Sequence, residues 1–301
     1  MMKEFSAEIA NNAAAEKSWT AVFADLVKAR LTTLVLLTTA VGFYIGWQGP
    51  MNFVLFFNTL AGTALVAGGA AALNQLLERE YDARMRRTQD RPLPSGRLQP
   101  ATVAIIGGVG SVAGLVYLAA AVNLLTSVLG AVTLISYLFI YTPLKRVTWL
   151  NTAIGAIPGA LPPLMGWAAA RNELSGQGWA LFAILAFWQI PHFFAIAWIY
   201  REDYAKAGFV MLPNVEAGGQ RTAQQTVSHA LALLIVSLCP FLFKMAGLVY
   251  LGGAVFLGAA FLLCAIQFSR QLNLARARQL FLASIIYLPL VLGILCLDKT
   301  K

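Results

Sequence analysis

The sequence predicts an all-α membrane protein in which nine transmembrane helices form a single bundle. Hydrophobic residues make up 59% of the 301 residues and charged residues only 12%, a composition typical of polytopic membrane proteins. Nine apolar stretches are long enough to cross a hydrocarbon layer of about 30 Å. They lie at residues 32–48, 52–74, 101–122, 124–143, 150–170, 178–200, 226–245, 247–268 and 278–297.

The distribution of basic residues predicts the orientation of these helices. If the N-terminus is cytoplasmic, 18 of the 22 Lys and Arg residues fall in cytoplasmic segments and 4 fall outside. Basic residues concentrate in the cytoplasmic loops of membrane proteins. We therefore expect a cytoplasmic N-terminus and a periplasmic C-terminus. Glu4, Glu8 and Glu16 do not fit an acid-poor transit peptide, so we expect a bacterial cell inner membrane. Because the basic residues sit in short loops between apolar stretches, the net charge of +9 does not indicate nucleic-acid binding.

The chain divides into a polar cytoplasmic segment, residues 1–31, and one nine-helix domain, residues 32–301. Within the first segment, residues 18–31 favour a helix at the membrane surface, whose apolar side would carry Trp19, Val22, Phe23 and Leu26. The two longest cytoplasmic loops follow the second and sixth spans. They are the cytoplasmic loops between spans that carry carboxylates as well as basic residues, so they are the first places to search for a reactive site.

The second span ends in Asn74, Glu78 and Asp82, which we call the polar motif. Each step of four residues advances about 40° around an α-helix, so the three side chains share one face. Carboxylate and amide oxygens suit Mg²⁺, a hard cation that often shares its ligands with substrate phosphates. We therefore predict that the polar motif binds the metal. The alternative is an ordinary solvated helix end; Glu80 lies out of phase and is expected to face solvent.

Arginines follow the polar motif within one loop, and Arg87 and Arg91 are the candidates for phosphate binding. Residues 91–97 read Arg-Pro-Leu-Pro-Ser-Gly-Arg, which favours a rigid turn before the third span. Guanidinium groups bind phosphates through paired hydrogen bonds. A metal-diphosphate site beside an apolar bundle would fit a substrate with an apolar tail and a diphosphate head.

A second cluster closes the sixth span. Its adjacent carboxylates point about 100° apart on a helix, so only one of them would face a given site. Anchoring at the membrane interface is the alternative role for its tyrosines and basic residues. The candidates in this second cluster are Arg201, Glu202, Asp203, Tyr204 and Lys206.

Two isolated residues complete the candidate site. Lys145 follows the fourth span, where topology alone explains a basic residue and contact with a diphosphate is the alternative. His192 lies within the sixth span, where an ionisable side chain indicates function. A structural hydrogen bond is the other interpretation of His192.

The combination and order of these motifs resemble the intramembrane aromatic prenyltransferase superfamily. Within it, the chain is most similar to the branch of protohaem IX farnesyltransferases, and the resemblance covers residues 25–295. The blocks that carry it include Asn74-Gln75, Tyr141-Thr-Pro-Leu-Lys-Arg146, Pro191-His192-Phe193 and Arg201-Glu-Asp-Tyr204.

The resemblance implies transfer of a farnesyl group from farnesyl diphosphate to the vinyl group of haem b, with hydration, to give haem O and pyrophosphate. Mg²⁺ would be the cofactor, haem b a substrate rather than a permanent cofactor, and the lipid bilayer the surroundings. His192 would hold the haem iron or orient water. The implied catalytic residues are Asn74, Glu78, Asp82, Lys145 and His192, and the implied diphosphate-binding residues are Arg87, Arg91, Lys145, Arg201 and Lys206. A downstream haem A synthase or terminal oxidase assembly is the further partner expected.

Two departures from the superfamily pattern keep alternatives open. Glu78 stands where the superfamily more often has Asp. The second Asp-x-x-x-Asp of quinone-type members would begin at Asp203, but its fifth position is Ala207. This argues against the quinone branch and leaves open how a second Mg²⁺ would be held. The rivals are a prenyltransferase acting on a quinone precursor or chlorin, a secondary transporter, and a haem-binding assembly factor without catalysis.

Overall fold

A computed structural model describes residues 17–300, and within that range the regular structure is helical apart from one isolated antiparallel bridge between Ala246 and Lys299. Nine of the described helices are long and apolar enough to cross a membrane, as predicted. They are α2 Ala29–Gly46, α3 Phe53–Asp82, α4 Pro100–Ala121, α5 Leu124–Leu144, α6 Asn151–Arg171, α7 Gly176–Ile199, α10 Gln220–Leu242, α11 Leu248–Gln271 and α12 Leu274–Leu297. Three short helices are α1 Trp19–Leu26, α8 Arg201–Lys206 and α9 Leu212–Val215.

Several spans extend beyond the apolar stretches that predicted them. Helix α3 continues from the predicted end at residue 74 to Asp82, so the whole polar motif belongs to one uninterrupted helix. Helix α2 begins at Ala29 and α10 at Gln220, each before the apolar stretch starts. Hydropathy marks only the part of a helix that lies in hydrocarbon, whereas backbone hydrogen bonding continues into the interface.

The surface helix predicted over residues 18–31 is shorter than expected, and its apolar side chains do not share one environment. Helix α1 ends at Leu26, where Val22 and Leu26 are buried. Trp19 and Phe23 are exposed. The predicted segment boundary at residue 31 falls inside α2, and residues 1–16 lie outside the described range.

Helices α6 and α7 are the most buried spans and form the centre of the bundle. Helix α6 crosses α2 so closely that a Cβ added to Gly42 would lie 1.9 Å from the Pro163 carbonyl oxygen. A Cβ added to Gly166 would lie 1.9 Å from the Thr39 carbonyl oxygen. Small residues allow this close approach of membrane helices.

The two ends of the bundle are secured by different segments. At one end, Gln75 of α3 donates from Nε2 to the carbonyl oxygens of Asp25 and Leu26, each at 2.8 Å, and so holds α1. At the opposite end, the Lys299 ammonium donates to the carbonyl oxygens of Tyr44 and Trp47, each at 2.6 Å. The first span is thus tied to the segment that follows the last span.

Candidate functional site

The polar motif lies on one buried face at the end of α3. The relative exposures are 0% for Asn74, 5% for Glu78 and 1% for Asp82, whereas the neighbouring Glu80 is exposed. Buried charges require partners, because leaving water is costly for an isolated carboxylate. The alternative of a solvated helix end is therefore wrong for the polar motif, and Glu80 faces solvent as expected.

Glu78 is paired with Lys145, which lies just beyond the end of α5. The Lys145 ammonium donates to Glu78 Oε1 at 2.8 Å and lies 4.6 Å from the centre of the Tyr141 ring. Burial is the largest single effect and would lower the pKa of Lys145, but the Glu78 carboxylate together with Tyr141 and Tyr137 outweighs it, so the pKa of Lys145 is raised above its usual range. Lys145 therefore remains a cation at the end of the bundle where the polar motif lies.

Asp82 is paired with Arg91 from the loop that follows α3. Arg91 donates to Asp82 Oδ2 at 2.7 Å, and Thr88 donates from its hydroxyl to the Asp82 carbonyl oxygen at 2.8 Å. Arg97, at the other end of the same turn, instead binds the exposed carboxylate of Asp90. Of the two arginines in the predicted turn, Arg91 is the one that contacts the polar motif.

Asn74 is held by two polar contacts that fix the direction of its amide. The Lys28 ammonium donates to Asn74 Oδ1 at 2.5 Å, and Asn74 Nδ2 donates to the Thr142 hydroxyl at 3.0 Å. That hydroxyl in turn donates to the Tyr137 carbonyl oxygen at 2.8 Å. Because the hydroxyl proton is used there, the oxygen is an acceptor for Asn74. The amide oxygen consequently points to the same side as the two carboxylates.

Lys28 reaches the polar motif because the chain turns sharply between α1 and α2. Its backbone adopts φ 48° and ψ 56°, a left-handed conformation that costs an L-residue about 1–2 kcal/mol. Gln75 holds the end of α1 just before this turn. Strain of this kind often lies at functional sites. We did not identify Lys28 from the sequence, where the available signal was a lysine placed directly before an apolar span.

The electrostatic environment of Lys28 differs from that of Lys145. Burial, together with the positive charges of Arg91 and Lys145, lowers the pKa of Lys28 to about 7 against the opposing effect of Glu78. Three cationic side chains thus face two carboxylates and one amide. This excess of potential positive charge favours an anionic ligand.

A short π-helical stretch, Ser136–Tyr141, forms the wall beside these cations. Its tyrosines, Tyr137 and Tyr141, stack with ring centres 5.8 Å apart. A Cβ on Gly155 of α6 would lie 2.4 Å from the Tyr141 ring, so glycine leaves room for that ring. Single π-helical turns within α-helices are frequent at functional sites.

The second cluster is only partly brought to the polar motif. Tyr204 accepts a hydrogen bond from Arg87 at 3.4 Å, and Phe209 packs against Tyr81 of α3 with ring centres 5.8 Å apart. The backbone of Val210 donates to the Lys145 carbonyl oxygen at 2.7 Å. The loop after α7 therefore covers the end of α3, and Tyr204 and Arg87 meet there.

The remaining members of the second cluster lie elsewhere. Arg201 stacks over the Trp198 ring at 5.3 Å and, together with Glu202 and Asp203, lines a separate cleft of about 500 Å³. Lys206 is exposed. Among the described contacts, none joins these four charged residues to the polar motif, so their roles in diphosphate or metal binding stay predictions.

His192 lies in α7, seven residues before the helix ends at Ile199, or about 10 Å along the axis. Its Nδ1 is 2.7 Å from the Ser284 hydroxyl of α12. The imidazole is stacked between Trp188, at 4.9 Å, and Phe281, at 5.2 Å. His192 is thus built into the contact between two spans, and none of its contacts reaches the polar motif within the part of the chain described.

The profile of the UbiA prenyltransferase family matches residues 35–288, which is most of the chain. The chain belongs to this family. The nine candidate spans within residues 17–300 and the family membership indicate a multi-pass membrane prenyltransferase, as the sequence predicted.

Individual proteins and solved structures are also similar to this chain. The protoheme IX farnesyltransferase of Solibacter usitatus (strain Ellin6076) is 47% identical over 286 residues, covering 92% of this chain and 98% of the relative. A structure described as concerning digeranylgeranylglyceryl phosphate synthase superposes with a TM-score of 0.79 at 16% identity, covering 92% and 97% of the two chains. A UbiA homolog from Archaeoglobus fulgidus bound to DMAPP and Mg²⁺ gives 0.66 at 18% identity, covering 91% and 98%. These two structures share the fold.

Proposed function

We propose that the protein transfers a farnesyl group from farnesyl diphosphate to a vinyl group of haem b, with hydration, to give haem O and pyrophosphate. The observation that carries the proposal is the burial of the polar motif among Lys28, Lys145 and Arg91. The acceptor follows from the relative named protoheme IX farnesyltransferase, to which the chain is 47% identical.

The cations around the polar motif are suited to a diphosphate leaving group. Lys145 and Arg91 are paired with carboxylates, while the partners of Lys28 among the described residues are neutral oxygens, those of Asn74 and Tyr137. An incoming diphosphate offers Lys28 a stronger acceptor than the Asn74 amide oxygen. Hydrogen bonds to charge that develops on a leaving group stabilise the transition state. Arg87, which donates to the Tyr204 hydroxyl at 3.4 Å, would extend the same binding surface.

The donor set of the polar motif fits Mg²⁺. Two carboxylates and one amide oxygen lie on one helix face, and the Thr142 contact directs the amide oxygen toward that face. Asn74, Glu78 and Asp82 would hold the ion, which would neutralise charge on the diphosphate. The UbiA homolog from Archaeoglobus fulgidus was solved with Mg²⁺ and a prenyl diphosphate, which supports this choice.

The transfer breaks the bond between C1 of the farnesyl group and the diphosphate oxygen, and C1 bonds to the terminal vinyl carbon of haem b. Water then adds to the resulting cation and loses a proton, which leaves a hydroxyl group. The aromatic rings of Tyr137 and Tyr141 stand beside Lys145 and can stabilise positive charge on the allylic carbon. His192 would hold the haem iron or orient the water that adds to the cation.

The membrane arrangement is part of the proposal. Residues 32–301 form the prenyltransferase domain, and residues 1–31 form a cytoplasmic segment before it. The distribution of basic residues supports a cytoplasmic polar motif, a periplasmic C-terminus and a bacterial inner membrane. The described N-terminal segment and residues 298–300 lie at opposite ends of the bundle, in agreement with an odd number of spans.

Mass spectrometry of the extracted haem tests the reaction. Purified protein in detergent is incubated with haem b, farnesyl diphosphate and Mg²⁺, and a parallel sample contains EDTA. We expect a Mg²⁺-dependent product heavier than haem b by one farnesyl group plus water. Farnesylation of an added hydroxybenzoate, but not of haem, would place the protein in the quinone branch. No product with either acceptor, from folded protein, would refute the prenyl-transfer proposal.

A further inference from the structure

The contact between His192 and Ser284 determines which nitrogen of the imidazole is available to a ligand. Ser284 Oγ is 2.5 Å from the Phe281 carbonyl oxygen and 2.7 Å from His192 Nδ1. A carbonyl oxygen only accepts hydrogen bonds, so the single hydroxyl proton of Ser284 lies between the two oxygens. The hydroxyl therefore accepts from His192, and the ring proton is on Nδ1.

A neutral imidazole with its proton on Nδ1 has a lone pair on Nε2. Among the described residues, no side chain or backbone group forms a hydrogen bond with Nε2, and the His192 side chain is only half-buried. Trp188 and Phe281 both stack on the ring. The Nε2 edge is therefore the part of the ring that remains accessible.

The ring is also prevented from turning away. Trp188 donates from Nε1 to the Ser284 backbone carbonyl oxygen at 2.8 Å, which fixes α7 against α12 next to the histidine. Ser284 thus accepts a hydrogen bond from Trp188 on its carbonyl oxygen and one from His192 on its hydroxyl oxygen. Trp188 and His192 are four positions apart on α7. Both the position of the imidazole and its protonated nitrogen are set by the same residue.

We propose that Ser284 is a positioning residue that holds His192 with Nε2 as a lone-pair donor to the iron of the porphyrin substrate. Histidines that bind metals usually donate their other ring proton to a fixed acceptor, and loss of that acceptor costs about 10–100-fold in affinity or activity. This inference rests on the proposed function for the identity of the porphyrin. It assigns to Ser284 a role that acts through His192 alone.

Binding of two porphyrins tests the proposal. Wild-type protein in detergent is titrated with haem b and, separately, with iron-free protoporphyrin IX, and the Soret band is recorded. Coordination by Nε2 predicts tighter binding of haem b than of protoporphyrin IX. Ser284→Ala should weaken haem b binding by about 10–100-fold and leave protoporphyrin IX binding unchanged. His192→Ala should show the same selective loss together with loss of the imidazole-type haem spectrum.

Two further variants separate positioning from general damage. Ser284→Thr keeps the hydroxyl and should restore haem b binding. Ser237→Ala removes another buried hydroxyl between spans, one that lies 2.7 Å from the Tyr287 hydroxyl of α12, and should not change the preference between the porphyrins. Equal weakening of both porphyrins by Ser284→Ala, or an effect matched by Ser237→Ala, would overturn the role of Ser284.

The porphyrin titrations, combined with mass spectrometry of the haem product, distinguish this inference from the proposed function. If wild-type protein farnesylates haem b but binds both porphyrins equally, the iron contact is wrong and the reaction stands. If the preference for haem b depends on Ser284 but no farnesylated haem is formed, the reaction is wrong and the iron contact stands.

Discussion

The polar motif and the His192 region use the same way of orienting a side chain in opposite electrostatic surroundings. Thr142 donates to a carbonyl oxygen of its own helix and therefore accepts from Asn74. Ser284 donates to a carbonyl oxygen of α12 and therefore accepts from His192. Charged side chains surround Asn74, whereas aromatic rings surround His192. This difference fits two separate roles: the polar motif would bind the diphosphate, and the His192 region would bind the porphyrin.

Replacement of Asp82 should give the largest effect and is the strongest test of that division. Asp82→Asn removes the charge that Arg91 contacts, and we expect kcat to fall by about 10²–10³-fold, as for loss of a group that stabilises developing charge. Haem b binding, measured by Soret titration, should be unchanged. Glu80→Gln is the matched control on the exposed face. Loss of haem b binding in Asp82→Asn would show that the two regions are not separate.

Arg91 and Arg97 provide a comparison within one turn. Arg91→Gln should lower kcat/KM for farnesyl diphosphate by about 10–100-fold, since a hydrogen bond to a charged group is worth about 1.5–3 kcal/mol. Arg97→Gln should have little effect, because Arg97 binds exposed Asp90. Steady-state kinetics with haem b held saturating measures both. Equal losses in the two variants would argue against a specific role for Arg91.

The lowered pKa of Lys28 predicts a pH dependence confined to the diphosphate substrate. Lys28 is charged below pH about 7 and loses its proton above it, so KM for farnesyl diphosphate should rise by up to about tenfold per pH unit above 7. Lys28→Arg, which stays charged, should flatten this rise. The KM for haem b should not follow it. An unchanged profile in Lys28→Arg would assign the titration to another group.

The smallest effect is expected from loss of the orienting hydroxyl beside Asn74. Thr142→Val leaves the Asn74 amide without its acceptor, and a typical hydrogen bond of about 0.5–1.5 kcal/mol corresponds to a loss of roughly 2–10-fold in kcat/KM for farnesyl diphosphate. Thr142→Ser should restore the activity. If the serine variant is as impaired as the valine variant, packing of the threonine methyl group explains the effect instead.

The parts of the molecule that depend on local sequence were predictable. The apolar stretches predicted nine spans, and the spacing of Asn74, Glu78 and Asp82 predicted a shared helix face, because both follow from the period of a helix. Lys145 was identified as a candidate, and it lies next to Glu78. These features need no knowledge of how the spans pack.

The partners that orient the site could not be read from the sequence. Lys28 is 46 residues from Asn74, and Ser284 is 92 residues from His192. A threonine or serine inside an apolar span is usually unremarkable, because it can bond to its own helix. Its second role, as an acceptor for another span, exists only once the two helices are packed together.

The contact of Lys299 with the end of α2 also has a kinetic consequence. The two hydrogen bonds of Lys299 reach Trp47 and Tyr44, which are 252 and 255 positions earlier in the chain, so the contact requires closure of nearly the whole chain. Because closing so long a loop costs entropy, we expect this contact to form late in folding and to contribute little to the transition state. Its loss would therefore speed unfolding while leaving the folding rate almost unchanged, which makes this contact a determinant of the lifetime of the folded bundle.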